Sequence, residues 1–283
     1  MSYITAFDPW QNKACTCPPK YSFNPYTGCA HACVYCYITS YIPDAFHLRK
    51  KRDVLRTVAR ECGKLEQNRY ISMSNSSDPY PPVEKDEGIT RNVLKIFREH
   101  GFQVLIITKS DIVTRDVDIL ETMNAVVSIT ITTIDDEIAK LLEPKAPLPS
   151  RRIKALEKLS EKVPCVVRID PLIPGINENF EEVVEVVAPY AKHCVFSTFK
   201  VRKDALARIV SVFPEVKEKL QNLYFKNPVI VGNSYYLPEG IRAQVLQRAK
   251  EVCKRHNLAF SSCREMLPQL NDAGCDGSGW LQR

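Results

Sequence analysis

The sequence predicts an α/β fold, an open, partial (β/α)6-type barrel of mostly parallel strands with short terminal extensions. After residue 40, helical and strand patterns alternate in about six strand–helix units, fewer than the eight of a closed barrel. The predicted strands are nearly continuous apolar runs, as expected of parallel strands buried on both faces. The chain has only ten glycines and no G-x-G-x-x-G or Walker A motif, which disfavours the alternative of a doubly wound nucleotide-binding sheet.

Hydrophobic periodicity assigns the elements in order along the chain. The predicted elements are helix 52–67, strand 69–73, helix 90–101, strand 102–108, helix 115–123, strand 125–132, helix 151–162, strand 163–169, helix 180–190, strand 193–199, helix 203–212 and helix 239–256. No internal repeat is visible. We therefore expect one domain over residues 1–283, with a core over about 21–232 and terminal extensions 1–20 and 233–283.

Composition excludes several classes of protein. The chain is 45% hydrophobic and 25% charged, as in an ordinary globular protein, which excludes disorder and collagen-like order. No apolar run approaches the ~18 residues of a membrane span, so we expect no membrane association. Residues 1–10 carry neither a basic n-region nor an apolar h-region, and we expect a cytoplasmic protein. The net charge of +6 permits a polyanionic substrate without requiring one.

The eleven cysteines are the unusual feature of the composition. In a reducing compartment, an odd number of cysteines favours metal ligands over disulfides. The cysteine loop, residues 29–36, carries Cys29, Cys33 and Cys36, spaced by three residues and then two. Three thiolates on one loop can each bind one iron of a cubane cluster and leave the fourth iron open. The alternative is a zinc site whose fourth ligand is His31 or a remote cysteine.

The pattern C-x-x-x-C-x-aromatic-C, with Tyr35 before the last cysteine, resembles the signature of the radical S-adenosylmethionine (radical SAM) enzymes. The resemblance implies that Cys29, Cys33 and Cys36 hold a [4Fe–4S] cluster, that SAM binds the unique iron, and that Tyr35 lies beside the cofactor. It also implies that an electron donor of the ferredoxin or flavodoxin type reduces the cluster. SAM is then cleaved to methionine and a 5′-deoxyadenosyl radical, which abstracts hydrogen from a substrate.

The surrounding residues resemble, more narrowly, the spore photoproduct lyase-related group, and so imply chemistry of the lyase or transferase type. The matching segments span most of the chain: residues 24–29, 35–37, 77–84, 108–110, 115–116, 142–144 and 171–175. Spore photoproduct lyase uses a cysteine just before the Ser-Asp pair of the second strand, whereas residues 73–78 here contain Asn75 and no cysteine. Thymine-dimer repair by that route is not implied, and the substrate stays open between a nucleic acid, a peptide and a small metabolite.

Three side chains at strand ends are expected to bind the methionyl part of SAM. Lys109, at the carboxyl end of an apolar strand, is placed to bind its carboxylate. Ser77 and Asp78 end the preceding strand and are expected to hold its amino group. The alternatives are a surface lysine for Lys109 and an ordinary turn for the Ser-Asp-Pro segment.

Two later strands add four candidate cofactor-binding residues. Ser128 and Thr130 alternate with apolar residues, so both point to one face and can bond the ribose if that face is the barrel interior. Arg168 and Asp170 are also two positions apart, on the next strand, so the same reasoning makes them candidates. A buried Arg168 would be costly without an anionic partner.

Four further cysteines predict a possible second metal site, which we call the terminal cysteine group: Cys15, Cys17, Cys263 and Cys275. The termini of a barrel-like sheet can approach each other, and four thiolates would bind zinc or a second Fe–S cluster. The alternative is that they are free thiols in poorly ordered tails.

A different function remains open on the sequence alone, a non-catalytic zinc- or cluster-bearing nucleic-acid-binding protein. It would account for the cysteines and the positive charge, but not for the partial barrel or Lys109.

Overall fold

A computed structural model of the chain describes residues 2–7, 14–74 and 76–281. Asn75 and part of the segment 1–10 considered above lie outside the described residues. The strands are β1 (Ile4–Ala6), β2 (Tyr21–Phe23), β3 (Tyr26–Thr27), β4 (Arg49–Lys50), β5 (Ile71–Met73), β6 (Val104–Thr108), β7 (Ala125–Thr130), β8 (Cys165–Leu172), β9 (His193–Thr198), β10 (Val229–Val231), β11 (Ser234–Tyr236) and β12 (Ala259–Ser262).

Eight of these strands form one sheet in the order β1-β2-β5-β6-β7-β8-β9-β12. β1 is antiparallel to β2, and the other neighbouring pairs are parallel. Within the described residues the two outer strands, β1 and β12, do not pair with each other, so the barrel is open. The predicted fold class, an open partial barrel of mostly parallel strands, is confirmed.

Helices cover one face of this sheet. They are α1 (Val54–Cys62), α2 (Glu84–Glu87), α3 (Ile89–Glu99), α4 (Val117–Leu120), α5 (Asp136–Leu142), α6 (Pro149–Ser160), α7 (Phe180–Val187), α8 (Lys203–Val212), α9 (Lys217–Phe225) and α10 (Glu239–Arg255). Val104, Val127 and Ile129 point from the strands into this helical layer and are fully buried. Each such side chain contributes about 1.5–3 kcal/mol by its burial. Among the described residues, no helix is both long and apolar enough to cross a membrane.

The opposite, inner face of the sheet has its own small apolar core. Leu105, Val126, Val166 and Val195 form it, and Leu281 near the end of the chain packs against them. Because strand side chains alternate between faces, the residues two positions further along each strand lie on the same inner face. The inner face therefore continues from this apolar layer toward the carboxyl ends of the strands, where polar residues replace the apolar ones.

The C-terminal segment after β12 lies against the inner face. Gly277 has φ +88°, and a Cβ there would lie 2.8 Å from Val166 Cγ2, so a larger residue would clash with the sheet as well as strain the backbone. Asp276 accepts hydrogen bonds from Lys20 Nζ at 2.6 Å and from Tyr70 Oη at 2.5 Å, which connects this segment to the N-terminal part of the chain.

The structure departs from the predicted elements at some boundaries, and it contains elements that were not predicted, among them β2, α5 and α9. The helix predicted at 115–123 is a 3₁₀ turn, Asp111–Asp116, followed by the short α4. Ser110 begins the turn early, because its Oγ accepts a hydrogen bond from Ile112 N. Strand β12 lies in the predicted C-terminal extension 233–283, yet it pairs with β9 as an outer strand of the main sheet.

Candidate functional site

The cysteine loop begins at a glycine that the geometry requires. Gly28 has φ +76°, and a Cβ at this position would lie 2.3 Å from the carbonyl oxygen of His47. The next residue, Cys29, donates its backbone N–H to Ala45 O at 2.8 Å. The loop therefore enters the site in close contact with residues 45–47, an approach that only glycine permits.

The far end of the loop is held by Arg208 of helix α8. Its guanidinium donates to Val34 O at 2.9 Å and to Cys36 O at 2.6 Å, and it forms an ion pair with Asp204 at 2.9 Å. On the other side, Val34 N donates to Leu142 O at 2.9 Å. Sequence reasoning missed Arg208, because nothing in a helix about 170 residues downstream indicates a contact with this loop.

The three thiols of the loop are free; Cys33 is buried, and Cys29 and Cys36 are partly buried. Burial raises the pKa of Cys29 to about 11, and burial also raises the pKa of Cys33 and Cys36 above the ordinary thiol value. Nearby cations oppose this effect: Lys109 lowers the pKa of both Cys33 and Cys36, and Arg208 lowers that of Cys36. Without further positive charge the thiols stay protonated, and a bound metal supplies that charge.

The donor set fits a [4Fe–4S] cluster with one open iron better than a closed zinc site. Three thiols are available, whereas the ring nitrogens of His31 face other groups: Nε2 lies 3.2 Å from Asp78 Oδ2 and Nδ1 lies 3.3 Å from Lys145 O. As placed, no three His, Cys, Asp or Glu side chains of the described ranges form a metal-binding group. Metal binding therefore requires the thiols to turn toward a common centre.

Ser77 and Asp78 bond to the chain itself. Ser77 Oγ donates to Gly28 O at 2.6 Å. Asp78 accepts hydrogen bonds from Thr108 Oγ1 at 2.7 Å and from Lys109 N at 2.8 Å. Burial tends to raise the pKa of Asp78, but His31 and these hydrogen bonds lower it to about 2. Both residues hold the cysteine loop against the end of β6, and Asp78 is ionised.

Lys109 is buried beside the cysteine loop and is not a surface lysine, since its side chain is only 17% exposed. Its Nζ lies 3.9 Å from Glu143 Oε1 and 5.6 Å from the centre of the Tyr35 ring. Burial tends to lower the pKa of Lys109, but Glu143 and nearby anions raise it above the ordinary value. Lys109 is therefore protonated and places a positive charge next to Cys33.

Glu143 connects Lys109 to the loop and was not assigned a role from the sequence. It accepts hydrogen bonds from the hydroxyl of Tyr35 and, at 3.2 Å, from Thr132 Oγ1. Arg152 lies 2.5 Å from its other oxygen. The only available signal was the Leu-Glu-Pro segment at 142–144, which says nothing about partners so distant in the sequence.

Ser128, Thr130 and Arg168 share the inner face of the sheet. Thr130 and Arg168 are register partners in β7 and β8, and Arg168 donates to Asp170 Oδ2 at 2.9 Å. Burial tends to raise the pKa of Asp170, but Arg168 and Lys200 lower it below its ordinary value, so the pair is ionic. Asp170 is thus the anionic partner that a buried Arg168 needs. In the described part of the chain, Ser128 Oγ is buried without a hydrogen-bond partner.

A second ionic group on the same side was not found from the sequence. Lys200 Nζ lies 2.7 Å from Glu265 Oε1, and Glu265 also accepts the backbone N–H of Thr198 at 2.7 Å. Arg242 lies 3.9 Å from the same carboxylate. Glu265 follows β12 in an irregular segment, where no periodicity predicts burial.

The terminal cysteine group is brought together in space. Cys17 Sγ lies 3.3 Å from Cys275 Sγ, and Cys15 is hydrogen-bonded to Cys17. Cys263 lies close enough to interact electrostatically with the other three. Hydrogen bonds from Cys15 and Cys275, followed by the charge of Lys20, lower the pKa of Cys17 to about 3.

Comparison with known families places these features in context. A sequence profile described as the radical SAM superfamily matches residues 23–187, more than half of the chain and all of the cysteine loop. An uncharacterised protein of Methanocaldococcus jannaschii is 30% identical over 211 residues, which cover 72% of this chain and 80% of that protein. An uncharacterised protein of Mycobacterium tuberculosis is 21% identical over 272 residues, covering 87% of this chain and 77% of that protein.

Solved structures share the same fold. A variant of spore photoproduct lyase with bound AdoMet and dinucleoside spore photoproduct superposes with a TM-score of 0.65 at 15% identity, covering 91% of this chain and 80% of that one. SuiB of Streptococcus suis bound to S-adenosylmethionine gives a TM-score of 0.59 at 13% identity, covering 85% of this chain and 49% of that one. At these identities the similarity shows the fold alone, the open barrel described above.

Proposed function

Because the chain belongs to the radical SAM superfamily, we propose that Cys29, Cys33 and Cys36 bind the [4Fe–4S] cluster at which this superfamily cleaves SAM. The single observation that carries the assignment is the geometry around the loop. Three free thiols lie on one segment, which Arg208 and Gly28 hold in place, with the buried cation of Lys109 beside them.

The chain's own residues fix the cluster site and leave one iron open. Three thiolates cannot close a cubane cluster, so one iron is free to bind an exchangeable ligand. Bound there, the cluster would supply the electron that cleaves SAM and yields the 5′-deoxyadenosyl radical for hydrogen abstraction. Lys109 and Arg208 lower the electrostatic cost of gathering three thiolates in a buried loop.

The methionyl part of SAM carries a carboxylate and an amino group, and residues of both charges lie beside the loop. We assign the carboxylate to Lys109, whose ammonium is buried and not fully neutralised at 3.9 Å from Glu143. Asp78 is an ionised carboxylate that interacts with Cys29, and we assign it to the amino group. Ser77 holds the start of the cysteine loop next to Asp78 through its hydrogen bond to Gly28 O.

The nucleoside part is assigned to the polar end of the inner face. Ser128 Oγ has no hydrogen-bond partner within the described residues. A ribose hydroxyl could therefore bond to it without displacing another group. Thr130 lies on the same face, next to Arg168. The Arg168–Asp170 pair is the third component of this surface, and it presents a donor and an acceptor in fixed positions. Tyr35, whose hydroxyl donates a hydrogen bond to Glu143, borders this surface on the side nearest the cysteine loop.

The reaction needs two partners, a reductant and a substrate. A ferredoxin or flavodoxin in the cytoplasm is the donor class we propose, since such proteins deliver single electrons at low potential. The substrate is a nucleic acid, a peptide or a small metabolite, and the overall reaction is of the lyase or the transferase type. Spore photoproduct lyase binds a dinucleoside and SuiB binds a precursor peptide, so the same fold accommodates both classes.

Anaerobic reconstitution with iron and sulfide tests the cluster assignment. We expect about four irons per chain at the loop and a broad visible absorption that bleaches with dithionite. Replacing Cys33 with Ala should abolish both, while Cys62→Ala, at a buried cysteine packed in the outer core, should retain both. A colourless protein whose zinc is lost in Cys33→Ala would instead support the alternative, a zinc-bearing nucleic-acid-binding protein.

A further inference from the structure

Four cysteines from opposite ends of the chain meet near the inner face of the sheet. Cys17 Sγ lies 3.3 Å from Cys275 Sγ, although the two residues are 258 positions apart. The hydrogen bond between Cys15 and Cys17 brings a third sulfur to this pair. Cys263 adds the fourth, from the end of β12, where it packs against the inner-face core.

Two cations lie against these thiols, of which Cys275 is buried and the other three are partly buried, unlike a cysteine that merely fills a core. Lys20 is 3% exposed, and its ammonium reaches both Asp276 and the thiol of Cys17. Arg168, on the inner face, contacts the thiol of Cys263 as well as Asp170. Groups that hydrogen-bond to metal ligands orient those ligands and tune the bound metal.

The distance between the Cys17 and Cys275 sulfurs favours a site with a single metal ion over a disulfide or an Fe–S cluster. The 3.3 Å between Cys17 and Cys275 is much longer than the ~2.0 Å of an S–S bond. Two sulfurs on one tetrahedral zinc, each at about 2.3 Å from the ion, lie about 3.8 Å apart, so a small rotation of either side chain suffices for this pair. Cys15 and Cys263 must also turn toward the ion, since no three such ligands are grouped as placed in the described residues. In a cubane each sulfur binds a different iron, which requires a wider spacing.

We propose that the terminal cysteine group binds a single zinc ion through four thiolates. The site is closed, with four protein ligands, and so is structural rather than catalytic. It ties the segment before β2 to the segment after β12 and fixes both against the inner face. Through Cys263 it also restrains Arg168, and thereby one wall of the cofactor surface.

Metal analysis in a chain that cannot bind the cluster tests this proposal independently of the proposed function. The variant is the full-length chain with Cys29, Cys33 and Cys36 all replaced by Ala, purified without chelators. We expect about one zinc per chain and no iron. Adding Cys17→Ser or Cys275→Ser should reduce zinc to less than about a tenth of that, while adding Cys62→Ala should leave it unchanged.

Three outcomes would overturn the proposal. They are a folded triple variant free of metal, iron with a visible cluster absorption in its place, and a Cys17–Cys275 disulfide found by peptide mapping. If the triple variant does not fold, thiol alkylation of the unmodified chain with and without added zinc gives the answer. Zinc should protect Cys17 and Cys275 from alkylation; equal labelling of these two cysteines in both samples would contradict the proposal.

Discussion

The guanidinium of Arg208 lies 2.6 Å from the carbonyl oxygen of Cys36, the last cysteine of the loop. A second bond to Val34 O means that one side chain of helix α8 fixes the backbone on which two of the three thiols depend. Arg208 is 172 positions after Cys36 in the sequence, but its hydrogen bond fixes the end of the loop. The proposed cluster site therefore depends on helix α8 as well as on its own motif.

Replacing Arg208 with Ala should loosen the cluster without unfolding the chain. Hydrogen bonds from a charged donor are worth about 1.5–3 kcal/mol each, and partial exposure of Arg208 puts the loss at the lower end. The measurement is iron content and the rate of iron loss to a chelator after reconstitution. Arg248→Ala, which removes an exposed ion pair on α10, is the matched control and should behave like the unmodified chain. Equal rates in both variants would remove Arg208 from the site.

Replacing Lys109 with Ala should weaken SAM binding by about 1.5–3 kcal/mol, the typical worth of a charged hydrogen bond. The measurement is the dissociation constant of SAM for the reconstituted protein, by equilibrium dialysis. Lys140→Ala, at an exposed lysine of α5, is the control and should leave the constant unchanged. Because Lys109 also pairs with Glu143, a thermal unfolding curve must accompany the measurement. An unchanged constant in Lys109→Ala would return this residue to a purely structural role.

Ser128→Ala separates ligand binding from stability. Ser128 Oγ has no partner in the described residues, so its removal should leave the free energy of unfolding unchanged or slightly higher. SAM affinity should fall by about 0.5–1.5 kcal/mol, the net worth of one neutral hydrogen bond. Ser261→Ala is the contrasting variant, since Ser261 Oγ is bonded to His193 Nε2 at 2.7 Å; it should destabilise the chain and spare SAM affinity. The reverse pattern would contradict the ribose assignment.

Asp78 should make stability depend on pH in the acid range. Its pKa in the folded chain is about 2, below the ordinary value of about 3.9, so its contribution is fully present above about pH 4 and is lost as pH falls toward 2. The lost contribution is about 2.5 kcal/mol at most. We expect the difference in free energy of unfolding between the unmodified chain and Asp78→Asn, measured with urea, to shrink over this range. A constant difference from pH 5 to pH 3 would show that Asp78 is not stabilised as a carboxylate.

Much of the fold could be predicted, because β5, β6, β7, β8 and β9 each carry their own signal, whereas β1, β2 and β12 of the same sheet were not predicted. The apolar run at 102–108 and the alternation at Ser128 and Thr130 are local properties of the sequence, and they correctly indicate parallel strands buried on both faces. The boundary at Ser110 was missed because a side-chain cap overrode the helical pattern that follows it.

The partners of the site residues could not be predicted in the same way. The cysteine spacing indicates a cluster loop, but nothing in it indicates Glu143 beside Lys109 or Glu265 beside Lys200. These contacts form only when the sheet brings segments from distant parts of the chain to one end. Charged side chains whose burial depends on such partners carry no periodicity of their own.

The most direct test of the account is the formation of 5′-deoxyadenosine by the reconstituted full-length chain, incubated anaerobically with SAM and dithionite and quantified by chromatography. We predict that the unmodified chain forms it only when reductant is present, and that Cys33→Ala forms none, because no other side chain can reach the iron that Cys33 binds. Undiminished 5′-deoxyadenosine in Cys33→Ala would contradict the assignment of the cluster to this loop. Its absence from an unmodified chain that holds an intact cluster and bound SAM would contradict the proposed cleavage of SAM.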